Sequence, residues 1–464
     1  MTAENLEQKI RRIGNPVTML RNSPQGHYEF PIPGEHSNWG DEQAAWQHTA
    51  VLFDQSFHMT DIYFRGARLK DFFASIAVNS FATFGPDKAK QLVAVNPDGH
   101  VIGDGILFGL GKEEFSLVGR PAAPDYAAFM AETGDFDIEV TRDLRSVGRD
   151  GKRLTFRYQL QGPNAAVVLE KASGSALPEI RFFHIGHFEV AGTRVRALNH
   201  TMSRHAGLEI TGPAEHAAAV KEALLAAGEE FGLREGGALS YATTPTESGW
   251  IPSPTPAIYS GDAMRPYREY LPGAGWEGMA SIGGSFVADS VEDYYQTPWD
   301  LGYGRYIKFD HDFIGRAALE RLARQPHRQK VWLRWNDQDV TAAISRSYFG
   351  GEGRTKRLGV PSSVYSTLPF DIVHAGGRLV GLSTYSGYTV NVGSWSSLAM
   401  IDEAEVRDGR EVTVVWGEPE PTGKPVAEAH QQTEIRATIS TTSLAGPAPR
   451  QRHDAQGGPR AAAV

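Results

Sequence analysis

Apolar residues recur at helical spacing over residues 4–22, with Leu6, Ile10 and Ile13 on one side, until Pro16 interrupts the register. A loop rich in Gly, Pro and aromatic residues follows to Asn38, and residues 39–53 again read as a helix. From 58 to 118 the period shifts towards two. IYFRG, QLVAV, VIGDGILFGL and EFSLVG predict strands, separated by turns such as NPDGH. PAAPDYAAFMAETG, after Arg120, predicts a helix and FDIEVTRD a strand. FRYQLQGPNAAVVLEKA predicts a strand, a Gly-Pro turn and a helix with Pro163 in its first turn. An Ala-rich helix is expected over 214–231, and FIGRAALERLARQ closes this part near residue 325. Beyond Gln325, KVWLRWN, DIVHAGGRLVGLSTYS, SLAMIDEA and REVTVVWGE alternate as strands, which predicts a separate antiparallel β domain. The closing GPAPRQRHDAQGGPRAAAV has no apolar period and is expected to be a disordered tail.

Composition narrows this picture. A chain of 464 residues is long enough for two or three domains, and its 50 Gly and 27 Pro favour a turn-rich mixed fold over long helices. The formal net charge of -9 argues against a general binder of nucleic-acid phosphates. With no cysteine, the chain has no disulfides, thiolate nucleophiles, zinc–thiolate sites or cysteine-ligated iron–sulfur clusters. The histidines are scattered and form no HxxxH-type pair, so no metal site is expected. MTAENLEQKIRRIGNP reads as neither a signal peptide nor a twin-arginine leader, and no apolar run approaches the ~20 residues of a membrane span. The expectation is a cytoplasmic protein without membrane or nucleic-acid partners.

The stretch DQSFHMTDIYFRG (54–66) reads as an exposed polar segment running into an alternating strand, with Ile62 and Phe64 on one face and Asp61 and Tyr63 on the other. It leaves Gln55, Ser56 and His58 on a connection, where polar side chains are available for binding. Taken alone, such a histidine is more often structural. VIGDGILFGLG lacks the dinucleotide-fingerprint spacing, and no βαβ unit with a suitable acidic residue follows it. It reads as a strand whose small residues admit another chain segment or a ligand.

Order along the chain says more than any single motif. DQSFHMTDIYFRG, GHVIGDGILF, YQLQGPNAAVVLE, GLEITGP, LGYGRYIKFDHDFIGRAAL and VGLSTYSGYTVNVGSWSSLAMI together resemble the folate-binding aminomethyltransferase family, which includes the glycine-cleavage T-protein. MLRNSPQG, HVIGDGILF, VGRPAA, TESGWIPSPTPAIYSGD, IGGSFV, EDYY and KFDHDFIGR are similar to one branch, the tetrahydrofolate-dependent O-demethylases of vanillate, syringate and 3-O-methylgallate. The resemblance implies an α+β aminomethyltransferase-like fold with a C-terminal β-barrel domain. Its folate- and substrate-binding region, of two interleaved α/β subdomains, would cover 1–327, the barrel 328–440 and the tail 441–464. The implied reaction moves the methyl group of a methoxylated aromatic acid to tetrahydrofolate, in the catabolism of lignin-derived aromatics. Tetrahydrofolate is the only cofactor implied, as methyl acceptor, with no metal, flavin or cobalamin.

Two departures bear on function. Where aminomethyltransferases carry an acidic pair in a GG-I-x-D-D segment, this chain has Gly103 and Asp104, one carboxylate fewer, which disfavours an amine-linked one-carbon donor. Another relative, the folate-binding iron–sulfur assembly protein, carries a KGC-x-GQE motif; the comparable region here is KFDHDFIGR, without cysteine.

Cleaving an aryl methyl ether by in-line displacement leaves charge on the departing phenolate oxygen, which a proton or hydrogen bond must meet. An unperturbed tyrosine, with a pKa of about 10, matches a departing phenol. By spacing alone Tyr241 reads as a packed tyrosine; the resemblance makes it the acid or hydrogen-bond donor to the methoxy oxygen. Arg120 otherwise reads as a surface or interdomain salt-bridge residue. The resemblance makes it a two-point grip on a benzoate carboxylate, and gives His58 a contact to the ring hydroxyl or methoxy oxygen, with a proton state open to pH. Glu209 resembles the carboxylate that holds the pterin, and Gln55, Val118 and Trp250 carry over as an amide, a backbone contact and an aromatic wall. Phe30 stands where the resemblance puts a tyrosine in the vanillate-acting members, so ring recognition either differs or is supplied by His27 or Tyr28; the lost hydroxyl favours the second methoxy group of syringate, against a plain reading of neutral drift in a loop. Two rivals stand beside this reading: a demethylase of a sulfonium or N-methyl donor, which would not need Arg120 and Tyr241 together, and a non-catalytic folate-binding regulator.

Overall fold

The computed structural model describes residues 4–202, 205, 207–252, 254–419, 424 and 426–446, so most of the expected tail lies outside the described residues. The helical pattern at the N-terminus is two helices. Leu6–Ile13 stops at Gly14, whose φ of 88° suits only a residue without a side chain, and Pro16–Arg21 begins where the Asn15 side chain accepts from Val17 and Thr18 N–H. The expected helix over 39–53 is shorter. Trp39–His48 is helical, whereas Ala50–Asp54 is a fully buried strand between Thr155–Gln161 and Leu233–Gly236. Continuous apolar runs such as AVLF carry no period, and partner strands decide them. Leu69–Ile76 is a helix in a stretch read as strands, with Leu69, Phe72, Phe73 and Ile76 buried at i, i+3, i+4 and i+7. Pro163 lies just before the helix Ala165–Ser173 rather than within its first turn.

Two sheets make up the N-terminal part. The first has six strands, in the order Leu233–Gly236, Ala50–Asp54, Thr155–Gln161, Gly207–Pro213, Thr193–Asn199 and Ile185–Val190. The second has five: Ala89–Val95, Val101–Gly109, Glu114–Gly119, Thr60–Arg65 and Glu139–Asp143. The chain crosses from one to the other through residues 55–59, which therefore sit at the junction of both sheets. The small residues of VIGDG serve close packing: a Cβ on Gly103 would stand 2.8 Å from Ala123 N, at the start of the helix Ala122–Thr133.

Six strands of the C-terminal part close into a barrel: Arg328–Trp335, Ser394–Asp402, Arg378–Thr389, Asp371–Ala375, Glu411–Trp416 and Thr433–Ser440. Val331, Leu333, Trp335, Val414, Trp416 and Ile439 belong to its buried core. Thr433–Ser440, the closing strand, and the helix Asp337–Phe349 were not among the expected elements. A parallel pair, Ile282–Gly283 with Leu368–Pro369, leads into the barrel. Beside it the buried Glu418 accepts from Lys356 Nζ at 2.7 Å and from Gly284 N–H at 3.2 Å. Burial pushes the Glu418 carboxyl up, but Lys356 outweighs it and holds the pKa at about 2. Its folded pKa being depressed, Glu418 contributes stability that is fully present above about 4.5 and fades as pH falls towards about 2. Glu418→Ala strands the buried Lys356 and is expected to cost about 3–5 kcal/mol in urea denaturation at neutral pH, with a flatter acid limb than the parent. An equal urea midpoint at pH 7 would contradict the pairing.

Candidate active site

The floor of the site is the second face of two strands in the first sheet. On Thr155–Gln161, Phe156, Tyr158 and Leu160 pack with Leu208 and Ile210 of Gly207–Pro213 and with the helices Ala165–Ser173 and Ala217–Gly228. The alternate positions Arg157, Gln159, Gln161 and Glu209 face the other way and are also buried. A carboxylate buried there needs a partner. Arg157 Nη1 donates to Glu209 Oε1, His200 Nε2 lies 3.2 Å from Oε2, and Arg157 Nη2 donates to Asp61 at 3.1 Å. Burial raises the Glu209 pKa, but Arg157 and His200 overcome it and hold the group at about 2, so it stays ionised. Gln159, across the ladder from Glu209, has neither amide atom bonded to protein.

Above this floor, Gln55, His58, Tyr28, Phe30, Tyr241 and Arg120 come together. The ring of Phe30 lies 4.8 Å from that of His58 and 4.9 Å from that of Tyr241, and the His58 and Tyr241 rings are 5.1 Å apart. Tyr28 donates its hydroxyl to the His58 carbonyl at 2.7 Å. Gln55 Nε2 donates to the Tyr241 hydroxyl at 2.9 Å, and that hydroxyl donates to the Met202 sulfur at 3.6 Å, a weak acceptor. Arg120, between the strand Glu114–Gly119 and the helix Ala122–Thr133, stands 4.1 Å above the Tyr28 ring and donates from Nη1 to the Tyr385 hydroxyl at 3.0 Å. His27, by contrast, is exposed.

Three expectations change here. The polar segment before the strand reads as exposed in the sequence, yet Gln55, Ser56 and His58 are buried, as are Thr60 and Asp61 of the strand itself, because the crossing between the sheets runs through the interior. Burial, then the charges of Arg120 and Arg145, push the His58 pKa well below its usual 6.5, so the ring is neutral through the physiological range rather than titrating there. Its Nδ1 has no protein partner. Burial and the Glu209 charge likewise raise the pKa of Tyr241, so the simple match with a free phenol does not hold. Tyr241 is a firmly protonated hydrogen-bond donor.

Beside this cluster lies a cavity of about 530 Å³, lined in part by Val118, Glu209, Trp250, Met202 and Asp104. Asp104 Oδ2 accepts from Gln91 Nε2 at 2.6 Å, Tyr303 OH at 2.9 Å and Trp250 Nε1 at 3.1 Å. Burial nonetheless pushes its pKa up to about 6. Lys330, on the first barrel strand, also lines the cavity, and burial pulls its pKa down to about 8. Trp250 is thus a cavity wall rather than a core plug. Sequence reasoning did not single out Gln159, Arg157, His200, Asp104 as a ligand-facing acid, Lys330 or Tyr385. The signal for the first two was available as polar residues alternating with Phe156, Tyr158 and Leu160. Among the described residues, no group of three or more His, Cys, Asp or Glu could hold a metal ion, and no helix is long and apolar enough to cross a membrane.

The chain matches the GCVT N-terminal domain over residues 23–253. It is 44% identical to the syringate O-demethylase of Sphingobium sp., over 94% of this chain and 95% of that protein. It is 28% identical to the sesamin methylene transferase of Sinomonas sp., over 88% of this chain and 89% of the relative. The crystal structure of the glycine cleavage system aminomethyltransferase T from Bartonella henselae shares the fold, with a TM-score of 0.60 at 18% identity, covering 91% of this chain and 94% of that one. The order of motifs, the two sheets with their closed barrel and the near full-length identity agree: the chain belongs to the GCVT-domain family, alongside a syringate O-demethylase.

Proposed function

We propose that this protein is a tetrahydrofolate-dependent O-demethylase that removes a methyl group from a methoxylated aromatic acid, with syringate as the leading substrate. The carrying observation is the Tyr241 hydroxyl, which accepts from Gln55 within the aromatic cluster and reaches the cavity wall through Met202. The residues of the cavity suit a reduced pterin. An ionised Glu209 accepts from ring and amino N–H groups, and Trp250 supplies a flat wall; the unpaired amide of Gln159 lies behind Glu209, across the ladder from it. Bound tetrahydrofolate supplies a ring-nitrogen lone pair as the methyl acceptor.

The protein's own groups prepare the other partner. Arg120 holds the carboxylate of the aromatic acid, and the neutral His58 meets a ring oxygen through its unpaired Nδ1. As the carbon–oxygen bond breaks, the electron pair stays on the phenolic oxygen. Tyr241 turns its hydroxyl from the Met202 sulfur to that oxygen, a far better acceptor. Its raised pKa keeps the proton on Tyr241, which meets the charge growing on the leaving oxygen as a hydrogen-bond donor. Phe30 offers no hydroxyl, so an apolar methoxy group beside it leaves no polar group unpaired. Phe30→Tyr is therefore expected to lower the preference for syringate over vanillate by about tenfold in kcat/KM, an effect of roughly 1.4 kcal/mol. A cytoplasmic address goes with this proposal, because reduced pterins persist in a reducing compartment.

The reading is tested by incubating the protein with syringate and tetrahydrofolate without oxygen. The demethylated phenol and 5-methyltetrahydrofolate should appear one for one, and neither should form when either reactant is left out. Phenol formation without folate would overturn the reading.

A further inference from the structure

The residue that ties down Arg120 belongs to the barrel, far along the chain from the rest of the site. Tyr385 lies within the strand Arg378–Thr389, where the pairing with Ser394–Asp402 runs Thr384 to Leu398 and then Ser386 to Ser397. Tyr385 is thus the extra residue of a β-bulge. Its φ is 49°, in the left-handed region that a bulky side chain rarely adopts. Bulges re-aim a side chain, and Tyr385, 7% exposed, packs with the core of the N-terminal part, as Leu382, Leu398 and Met400 of the same strand pair also do, while Val380 and Trp395 pack in the barrel. Its hydroxyl receives Arg120 Nη1–H at 3.0 Å, and the Arg120 guanidinium carbon lies 5.9 Å from its ring centre and 4.1 Å from that of Tyr28. A non-glycine residue held at positive φ at a functional site marks a position whose side-chain direction matters.

We propose that Tyr385 is a positioning residue through which the barrel sets specificity for carboxylated aromatic substrates, by holding the Arg120 guanidinium where a ring carboxylate arrives. Arginine is a long side chain with many rotamers, and a carboxylate fork needs one of them. Tyr28 confines the guanidinium from one face and the Tyr385 hydroxyl fixes one end. The inference rests on the proposed demethylase reading for its substrate. Its geometry does not involve the folate cavity.

The test compares Tyr385→Phe with the parent on two substrates of the same ring pattern, syringate and 2,6-dimethoxyphenol, which lacks the carboxylate. The phenylalanine keeps the ring and removes only the hydroxyl, so the thermal midpoint and the tetrahydrofolate Kd should stay put. KM for syringate, and its Kd by calorimetry without folate, should rise about tenfold with kcat little changed, the scale of one lost charge-assisted hydrogen bond. KM for 2,6-dimethoxyphenol should not move. In an Arg120→Lys background the Tyr385→Phe change should add nothing, because both act on one contact. An equal rise for both substrates, or none for syringate, would overturn the inference. If the parent turns over neither compound yet binds syringate with a Tyr385-dependent Kd, the demethylase reading falls and the role of Tyr385 stands. If it binds no aromatic acid, both fall.

Discussion

Tyr241→Phe is expected to lower kcat on the order of 10²–10⁴-fold while leaving the tetrahydrofolate Kd unchanged. The ring itself is held on several sides, with Phe53 and Phe30 each 4.9 Å away and His58 at 5.1 Å, so phenylalanine keeps the packing. What goes is the hydroxyl, which accepts from Gln55 and donates to Met202. Loss of the Gln55 hydrogen bond is worth only about 1 kcal/mol of stability, far below the expected effect on the barrier. The effect should therefore fall on kcat and kcat/KM together, the pattern of an interaction made only as the oxygen gains charge. Stopped-flow single turnovers separate that step from product release. A kcat within about threefold of the parent would remove Tyr241 from the mechanism.

Glu209→Gln is the second large effect. An ionised carboxylate presents two acceptor oxygens to a pterin edge, and the amide replaces one of them with a donor that meets N–H head-on. Tetrahydrofolate affinity should drop about a hundredfold, or roughly 2.7 kcal/mol, measured by quenching of tryptophan fluorescence. Stability should also fall, because Arg157 loses a charged partner in the interior, although Asp61 still accepts from it at 3.1 Å. The two losses have different signatures: the affinity change persists in protein that is fully folded at the assay temperature. Glu209 also carries a pH signature. Since its folded pKa is depressed to about 2, its contribution to stability is complete above about 4.5 and is lost only as pH falls below that. An unchanged folate Kd in the glutamine variant would place the pterin elsewhere.

How far the site could be read in the sequence depends on the kind of signal. Tyr241, Arg120, His58 and Glu209 were found by resemblance, and the structure brings the first three into one cluster with Glu209 close enough for its charge to act on Tyr241 and His58. Periodicity alone shows polar residues alternating with Phe156, Tyr158 and Leu160 but not what they face. On Thr155–Gln161 the alternate polar residues look like a solvent face, and only the second sheet and the crossing at 55–59 turn that face into the floor of a pocket. The same burial explains the proton states. A histidine on a loop would titrate near neutrality, whereas His58 under two guanidinium groups does not. The helix Leu69–Ile76 shows its i, i+3, i+4, i+7 pattern plainly but lies between strands, and the neighbouring period overrode it. Tyr385 could not be found locally at all, because a bulge depends on the register of two strands.

The central claim is that one intact methyl group passes from an aryl ether oxygen to tetrahydrofolate. It is tested most directly with syringate carrying fully deuterated methoxy groups, incubated anaerobically with the protein and tetrahydrofolate, followed by mass spectrometry of the folate. The expected product is 5-methyltetrahydrofolate that retains all three deuterium atoms, formed in step with the demethylated phenol. Loss of one deuterium, as in transfer at the methylene level, or an unlabelled folate beside a demethylated ring, would contradict it.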